Sequence, residues 1–349
     1  MNEPLVSVVM PVYNTASYLE EAMDSILRQS YENLELIAVN DGSTDASGEI
    51  LARYEQADGR VRVLSQENAG ISAARNKGME AASGKYIAVM DSDDVSLPER
   101  LAKQVALMES RPDVGLCGTR CAFFGDMGEY VGAAPPTDPE RIKCSLLFLP
   151  TISHTSVMMR RDLVINHALR YSPDLEVAED YEFYTQFLPY CRITNLPDVL
   201  MGIRTHREST TRRIAGDKGL GVVHKQQLEA LGIHPTEEEL GLHLSISVGD
   251  LGKSRDHIDG VESWLCRLLT ANRASRIYGE KALAADLFQR WLCACFSEYK
   301  LGMWTWRKFR ASELSRGFRT PVRHRVAFAA RCLLKRQQLK PSWLRANIG

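Results

Sequence analysis

Residues 5–12 (LVSVVMPV) form an unbroken apolar run followed by Tyr13-Asn14, the pattern of a strand covered on both faces. Ser17-x-x-Glu20 reads as a capping box. It opens a helix whose apolar face is Leu19, Ala22, Met23, Ile26 and Leu27, at three- and four-residue spacing. A second strand at 34–40 (LELIAVN) runs into Asp41-Gly42-Ser43. The pattern then predicts a helix over 45–54, a strand over 61–64, a helix over 71–82 and a strand over 86–90. Ser96-x-x-Glu99, with Pro98 in the first turn, predicts the cap of a helix reaching Met108. This alternation predicts an α/β fold, a doubly wound, mostly parallel sheet with helices on both faces. Such sheets bind ligands beyond the carboxyl ends of their strands.

After Gly115 the pattern is mixed, with apolar stretches at 116–124 and 154–159 and strands expected at 192–196 and 200–204. The segment 207–221, with Gly216, Gly219 and Gly221, reads as a linker. From about Lys218 onward helices dominate. Val261, Trp264, Leu265, Leu268 and Leu269 make one stripe, and Phe288, Trp291, Leu292, Cys295 and Phe296 another.

The net charge of −1 conceals an asymmetry. Residues 300–349 carry thirteen Lys/Arg and one acid, Glu313, a net of +12, which leaves −13 on the first 299 residues. Val326, Ala329, Ala330, Leu333 and Leu334 form an apolar stripe flanked by Arg325, Arg331, Lys335 and Arg336, with Trp304, Trp306, Phe309 and Trp343 nearby. Two readings fit: a helix lying in a membrane interface, or a helix packed on the catalytic domain with solvated arginines. The eight cysteines contain no CxxC pair and are read as reduced, mostly buried thiols. No signal peptide and no run of the roughly 20 apolar residues needed to span a bilayer is found, so a cytoplasmic chain is expected. There is no GxGxxG after the first strand, no GxxxxGK[ST] and no GxSxG. Nothing points to nucleic acid.

Candidate chemistry falls at the strand ends. Asp91-Ser92-Asp93-Asp94 puts three carboxylates in four residues just beyond a buried run, where mutual repulsion raises the cost of ionisation. A solvated turn is the plain alternative; Mg²⁺ or Mn²⁺ shared with a diphosphate explains the position better. Asp41 is either ordinary turn chemistry or an acceptor for a nucleobase or ribose. Arg75 lies near the apolar face of its helix and needs an anion, either a strand-end aspartate or a ligand diphosphate. Glu179 and Asp180 open a helix, where acids also suit the dipole.

Together these motifs resemble glycosyltransferase family 2, of the GT-A fold. The resemblance rests on Val6-Ser-Val-Val-Met-Pro-Val-Tyr-Asn14, Val39-Asn-Asp-Gly-Ser-Thr-Asp45, Asn68-Ala-Gly-Ile-Ser-Ala-Ala-Arg-Asn-Lys-Gly78, Asp91-Ser-Asp-Asp94 and Ala178-Glu-Asp-Tyr181, and covers about residues 5–210. It implies a catalytic domain over 1–215, with a nucleotide-binding half at 1–110 and an acceptor half at 111–215, followed by a helical region at 216–349. It implies that Pro11, Val12, Tyr13, Asn14 and Asp41 hold the nucleoside with Arg75 close by. Asp91, beside Ser92, contacts the ribose; Asp93, with Asp94 alongside, binds Mg²⁺ or Mn²⁺. Asp180, in the Glu179-Asp180 pair, is the general base, and His206 in Ile203-Arg-Thr-His206 touches the metal or diphosphate. Ile203 replaces the aromatic residue commoner at that place in the family.

The implied reaction is inverting transfer of a sugar from a nucleotide-diphosphate donor, UDP-linked by the family's commoner choice. The acceptor is a hydroxyl of a glycan or lipid-linked glycan, in cell-surface polysaccharide synthesis. The membrane-interface reading of the basic tail would place the chain at the inner leaflet, where a lipid-linked acceptor is found. Two other classes share parts of the pattern. A sugar-nucleotide pyrophosphorylase needs a Gly-rich basic loop where Pro11-Val-Tyr-Asn14 stands, and a non-catalytic sugar-nucleotide-binding module has no use for Asp180.

Overall fold

The computed structural model describes residues 3–175, 177–206, 218–250, 252, 254–316, 318 and 322–335. The expected alternation is present from the start: β1 (Val6–Val12), α1 (Ala16–Leu27), β2 (Leu34–Asp41), α2 (Ser47–Ala57), β3 (Val61–Gln66), α3 (Ile71–Ala81) and β4 (Tyr86–Val89). The chain continues through β5 (Val95–Ser96), α4 (Arg100–Ser110), β6 (Val114–Gly125), β7 (Tyr130–Val131), α5 (Pro139–Ser145), β8 (Met158–Arg160), α6 (Arg161–Asn166), α7 (Glu179–Phe187) and β9 (Arg192–Thr205). Helices follow: α8 (Lys218–Ala230), α9 (Glu237–Val248), α10 (Arg255–Ser275), α11 (Glu280–Ser297), α12 (Met303–Ala311) and α13 (Val322–Leu334).

Among the described residues the strands form one sheet in the order β3-β2-β1-β4-β8-β6-β9-β5, with β7 on the edge of β6. The ladders joining β3, β2, β1 and β4 are parallel, and β1 is buried at every position, as its unbroken apolar run requires. Beyond β4 the sheet is mixed, because β8 runs antiparallel to both β4 and β6.

Three local expectations change. α1 is not opened by a Ser17–Glu20 capping box: its N-cap is Thr15, without a side-chain cap. The neighbouring loop does that work, with Ala16 N–H donating to Asp45 Oδ2 (3.0 Å) and Thr15 N–H to Ser47 Oγ (3.1 Å). Ser96 likewise caps nothing; it pairs with Met201 in β5, and α4 begins only at Arg100. The two strands expected at 192–196 and 200–204 are one strand, β9. Pro197 lacks an N–H for the ladder, and the register jumps from Leu196 opposite Thr119 to Val199 opposite Arg120, so the interruption is a bulge rather than a loop.

The chain folds as two compact units, Met1–Pro139 with Pro150–Ile214, and Glu140–Leu149 with Ala215–Gly349. The first unit's core pairs the inner side chains of β1 and β2 with the α1 face Leu19, Ala22, Met23 and Ile26. Arg100 is wholly buried there and donates to the carbonyls of Val89 (2.8 Å) and Val157 (3.3 Å), fixing the exit of β4. α3 lies close on the sheet because Gly78 has no side chain; a Cβ there would meet Val9 Cγ1 at 2.4 Å. Gly78→Ala is expected to lower stability by about 1–3 kcal/mol, measured by urea denaturation.

The second unit's core gathers both predicted stripes, of which only Phe288 stays partly exposed, around Cys144, Leu147 and Phe148. Gly219 and Gly221 lie in α8 rather than in a linker; residues 207–217 of that expected linker lie outside the described residues. His243 is buried with both ring nitrogens engaged, Nδ1 accepting from Trp264 Nε1 (3.1 Å) and Nε2 donating to the carbonyl of Leu147 (2.9 Å). Beside it His224 is bonded to the carbonyl of Phe148. Burial holds His243 well below the usual histidine range and pushes His224 down to about 4. The unfolded chain therefore takes up protons near pH 6.5 that the folded chain refuses. Stability is expected to fall as pH drops from about 6.5 towards 4, and the fall to shrink in a His224→Gln variant followed by thermal unfolding across that range.

Candidate active site

The carboxyl ends of β1, β2 and β4 carry three loops that are bonded to one another. Asn14, at φ 53°, accepts the Thr44 N–H (2.8 Å) and the Asp45 N–H (3.3 Å) on its side-chain oxygen and donates its own N–H to Ser43 Oγ (3.1 Å). Pro11 and Val12 are buried strand residues, leaving their backbone and the exposed Tyr13 for any ligand. Asp41 is buried and fully employed: Oδ1 accepts from Gln66 Nε2 (2.7 Å) and the Ala69 N–H (2.9 Å), and Oδ2 from the Gly70 N–H (2.9 Å). It shapes the loop into α3 where Gly70 takes φ 87°. Ser92 is also buried, accepting from the Thr15 hydroxyl at 3.0 Å.

Arg75 has the protein partner that its position demanded. Its side chain is 4% exposed; Nη2 donates to Asp91 Oδ1 (3.0 Å) and Nη1 to Glu179 Oε1 (2.8 Å). The guanidinium also lies over the ring of Tyr171, 5.5 Å from its centroid. Burial alone would lower its pKa, but Asp91, Tyr171 and Glu179 outweigh that and raise it, so it is a permanent cation. One side chain of α3 thus ties the acid turn after β4 to the first residue of α7.

Asp180 follows Glu179 and accepts the Tyr181 N–H at 2.6 Å. The turn into α7 is tight, with Ala178 at φ 69°, a conformation uncommon for a residue with a Cβ. Burial, and then the neighbouring Glu179 charge, push the Asp180 carboxyl up to about 6, with Arg75 and the Tyr181 N–H pulling the other way. Glu179 is committed to Arg75, which leaves Asp180 as the carboxylate of the pair without a counter-ion of its own among the described residues.

At the far end of the acid turn, Asp93 Oδ2 lies 3.1 Å from His206 Nε2. Burial and then Asp91 raise the Asp93 carboxyl, with His206 opposing them. The His206 ring stacks on Tyr18 of α1 at 5.9 Å. Asp94 is turned inward: it is buried, and its Oδ1 accepts the Arg204 N–H at 2.8 Å. Burial, Asp91 and Asp93 together hold it well above the usual carboxylate range, and the Arg204 bond ties it to β9. Among the described residues no group of three or more His, Cys, Asp and Glu is placed to hold a metal ion unaided. Asp93 and His206 stand side by side, and to hold a metal ion they would need further oxygens from a ligand.

Several residues here carry no local signal. Arg204 donates Nε–H to the Asp93 carbonyl (2.9 Å) and is sandwiched between the rings of Tyr18 and Phe124. Thr155 accepts the Asp91 N–H on its hydroxyl (3.1 Å). His154 is half-buried near Arg75, 2.7 Å from the Tyr184 hydroxyl and 3.4 Å from that of Tyr171; loss of water around the ring and then Arg75 hold it well below the usual histidine range, so it is neutral. Only the Arg-Thr-His motif around Arg204 could have flagged one of them.

A doubly wound sheet that gathers acids and a buried arginine at its carboxyl edge is the architecture of the GT-A fold. Residues 7–167 match the model of the family described as Glycosyl transferase family 2. An uncharacterized glycosyltransferase of Haemophilus influenzae is 48% identical over 249 residues, covering 70% of this chain and 94% of its own. A second from the same organism is 32% identical over 222 residues, 60% of this chain and 68% of that one. The Staphylococcus aureus TarS 1–349 structure in complex with UDP-GlcNAc superposes with a TM-score of 0.56 at 18% identity, covering 93% of this chain and 90% of that one. The chain belongs to glycosyltransferase family 2.

A carboxyl raised in the fold contributes stability that is present below the unfolded pKa and lost as pH rises through the folded one. Asp180→Asn is therefore expected to stabilise the protein at pH 8 by on the order of 2 kcal/mol. The gain should vanish below about pH 4, the unfolded value for aspartate; melting temperatures across that range test it.

Proposed function

We propose that this chain transfers a sugar, with inversion, from a UDP-linked donor to a hydroxyl of a glycan or lipid-linked glycan, with Asp180 as general base. The reading rests above all on Arg75, whose two ion pairs join the acid turn to the helix that carries Asp180. The choice of uridine follows the TarS structure of like fold, which holds UDP-GlcNAc.

A neutral hydroxyl is a weak nucleophile. Asp180, with a carboxyl near 6, is mostly ionised at neutral pH yet still basic enough to accept the acceptor proton as the new bond forms. Arg75 and Glu179 hold that carboxylate in place and tune it. Asp93 and His206 would hold Mg²⁺ or Mn²⁺, which supplies positive charge against the departing diphosphate. The raised Asp93 carboxyl fits this role, since a like-charged turn gains from a cation. Asp94, Ser92 and Asp41 position the loops around the donor. A single displacement at the anomeric carbon inverts it and requires no glycosyl-enzyme.

A panel of nucleotide sugars with Mn²⁺, scored for release of nucleoside diphosphate and for transfer, tests the reading. Asp180→Asn should lose roughly 10²–10⁴-fold in turnover while still binding the donor. In the parent, kcat/KM should fall as pH drops through about 6, the range of the Asp180 carboxyl. Near-parental transfer by the variant would remove Asp180 from the mechanism.

A further inference from the structure

α13 is apolar on two opposite faces. Phe328 and Cys332 are buried on one, where Phe328 meets Phe296, Phe309 and Trp306 at ring separations of 5.3, 5.4 and 5.5 Å. Arg331 on the same side lies over the rings of Tyr299 (4.0 Å) and Phe296 (4.4 Å). This face closes the second unit's core. Across the helix, Val326, Leu333 and Leu334 are 61%, 68% and 59% exposed, with Ala329 and Ala330 between them partly so. Spacings of three, four, seven and eight residues put these five on one stripe, so the apolar pattern read from the sequence belongs to the outer face.

The surroundings of the stripe select its occupant. Arg325 is exposed beside it, and in the sequence residues 325–349 carry six Lys/Arg and no acid. A second copy would bring a like-charged region of net +12 against this one, whereas an anionic bilayer offers both an apolar layer and negative charge. Among the described residues no helix is long and apolar enough to cross a membrane, so the contact is with its surface.

We infer that the Val326–Leu333–Leu334 face of α13 docks on an anionic lipid surface. The aliphatic side chains enter the headgroup boundary, and Arg325 meets lipid phosphates. This holds whatever reaction the first unit performs.

The test is co-sedimentation of the full chain with vesicles of mixed phosphatidylglycerol and phosphatidylcholine, against phosphatidylcholine alone. Binding is expected to the anionic vesicles only, and to weaken in high salt. The triple variant Val326→Ser, Leu333→Ser, Leu334→Ser should bind about tenfold or more weakly, with an unchanged melting curve because all three positions are exposed. No binding to anionic vesicles, or equal binding by parent and variant, overturns the inference. So does a parent dimer in sedimentation velocity that the variant abolishes, which would make a second copy the occupant.

Discussion

The rim of the sheet is organised by one buried cation. A guanidinium withdrawn from water costs several kcal/mol unless its charge and its N–H groups are matched. Arg75 matches its charge with Asp91 from the end of β4 and Glu179 from the start of α7, while its buried Nε–H finds no partner among the described residues. The two carboxylates belong to separate segments, and the arginine bonds to both. It can reach them because Gly78 lets α3 lie against β1 and β2, and because Asp41 shapes the loop from which α3 starts.

Around that pair the carboxylates divide by how much of their hydrogen-bonding capacity the protein has taken. Asp41 and Asp94 are buried against backbone N–H groups, and Glu179 is held by Arg75. These three build the site. Among the described residues Asp93 has His206 as its side-chain partner, and Asp180 accepts a neighbouring backbone N–H while standing beside the Glu179 charge. Those two keep acceptor capacity for a ligand; their carboxyls are raised above the usual range, as is that of Asp94. Together with Ala178 in the left-handed region, this is the pattern of a site held short of its most stable arrangement by the structure around it.

The second unit uses polar groups differently. His224 and His243 are neutral, enclosed and bonded to carbonyls of Phe148 and Leu147, so they lock a stretch from the middle of the chain into the helical core. That stretch, residues 140–149, is flanked in sequence on both sides by parts of the first unit, and its apolar residues alone do not reveal which core receives them.

Much of the first unit was legible from local pattern. Strand and helix periodicity depends on neighbours within a few residues, so β1 to β4, the helices between them and the acid turn followed directly, as did the motif set that marks the family. Local pattern misled where a distant group satisfied what a nearby one was expected to satisfy. Asp45 and Ser47 cap α1 in place of Ser17, and the gap at Pro197 is a bulge because β6 carries the strand through. Which carboxylate meets which cation was beyond reach, since Arg75 and Glu179 lie 104 residues apart and Asp93 and His206 lie 113 apart. The stripe on α13 was visible in the chain, but only packing decided that Phe328 and Cys332 turn inward and the stripe turns out. The sequence by itself determined the elements, the family and the kinds of side chain available for chemistry. Tertiary structure alone decided the partners of each charge, because the energy of a buried ion depends on what surrounds it in space.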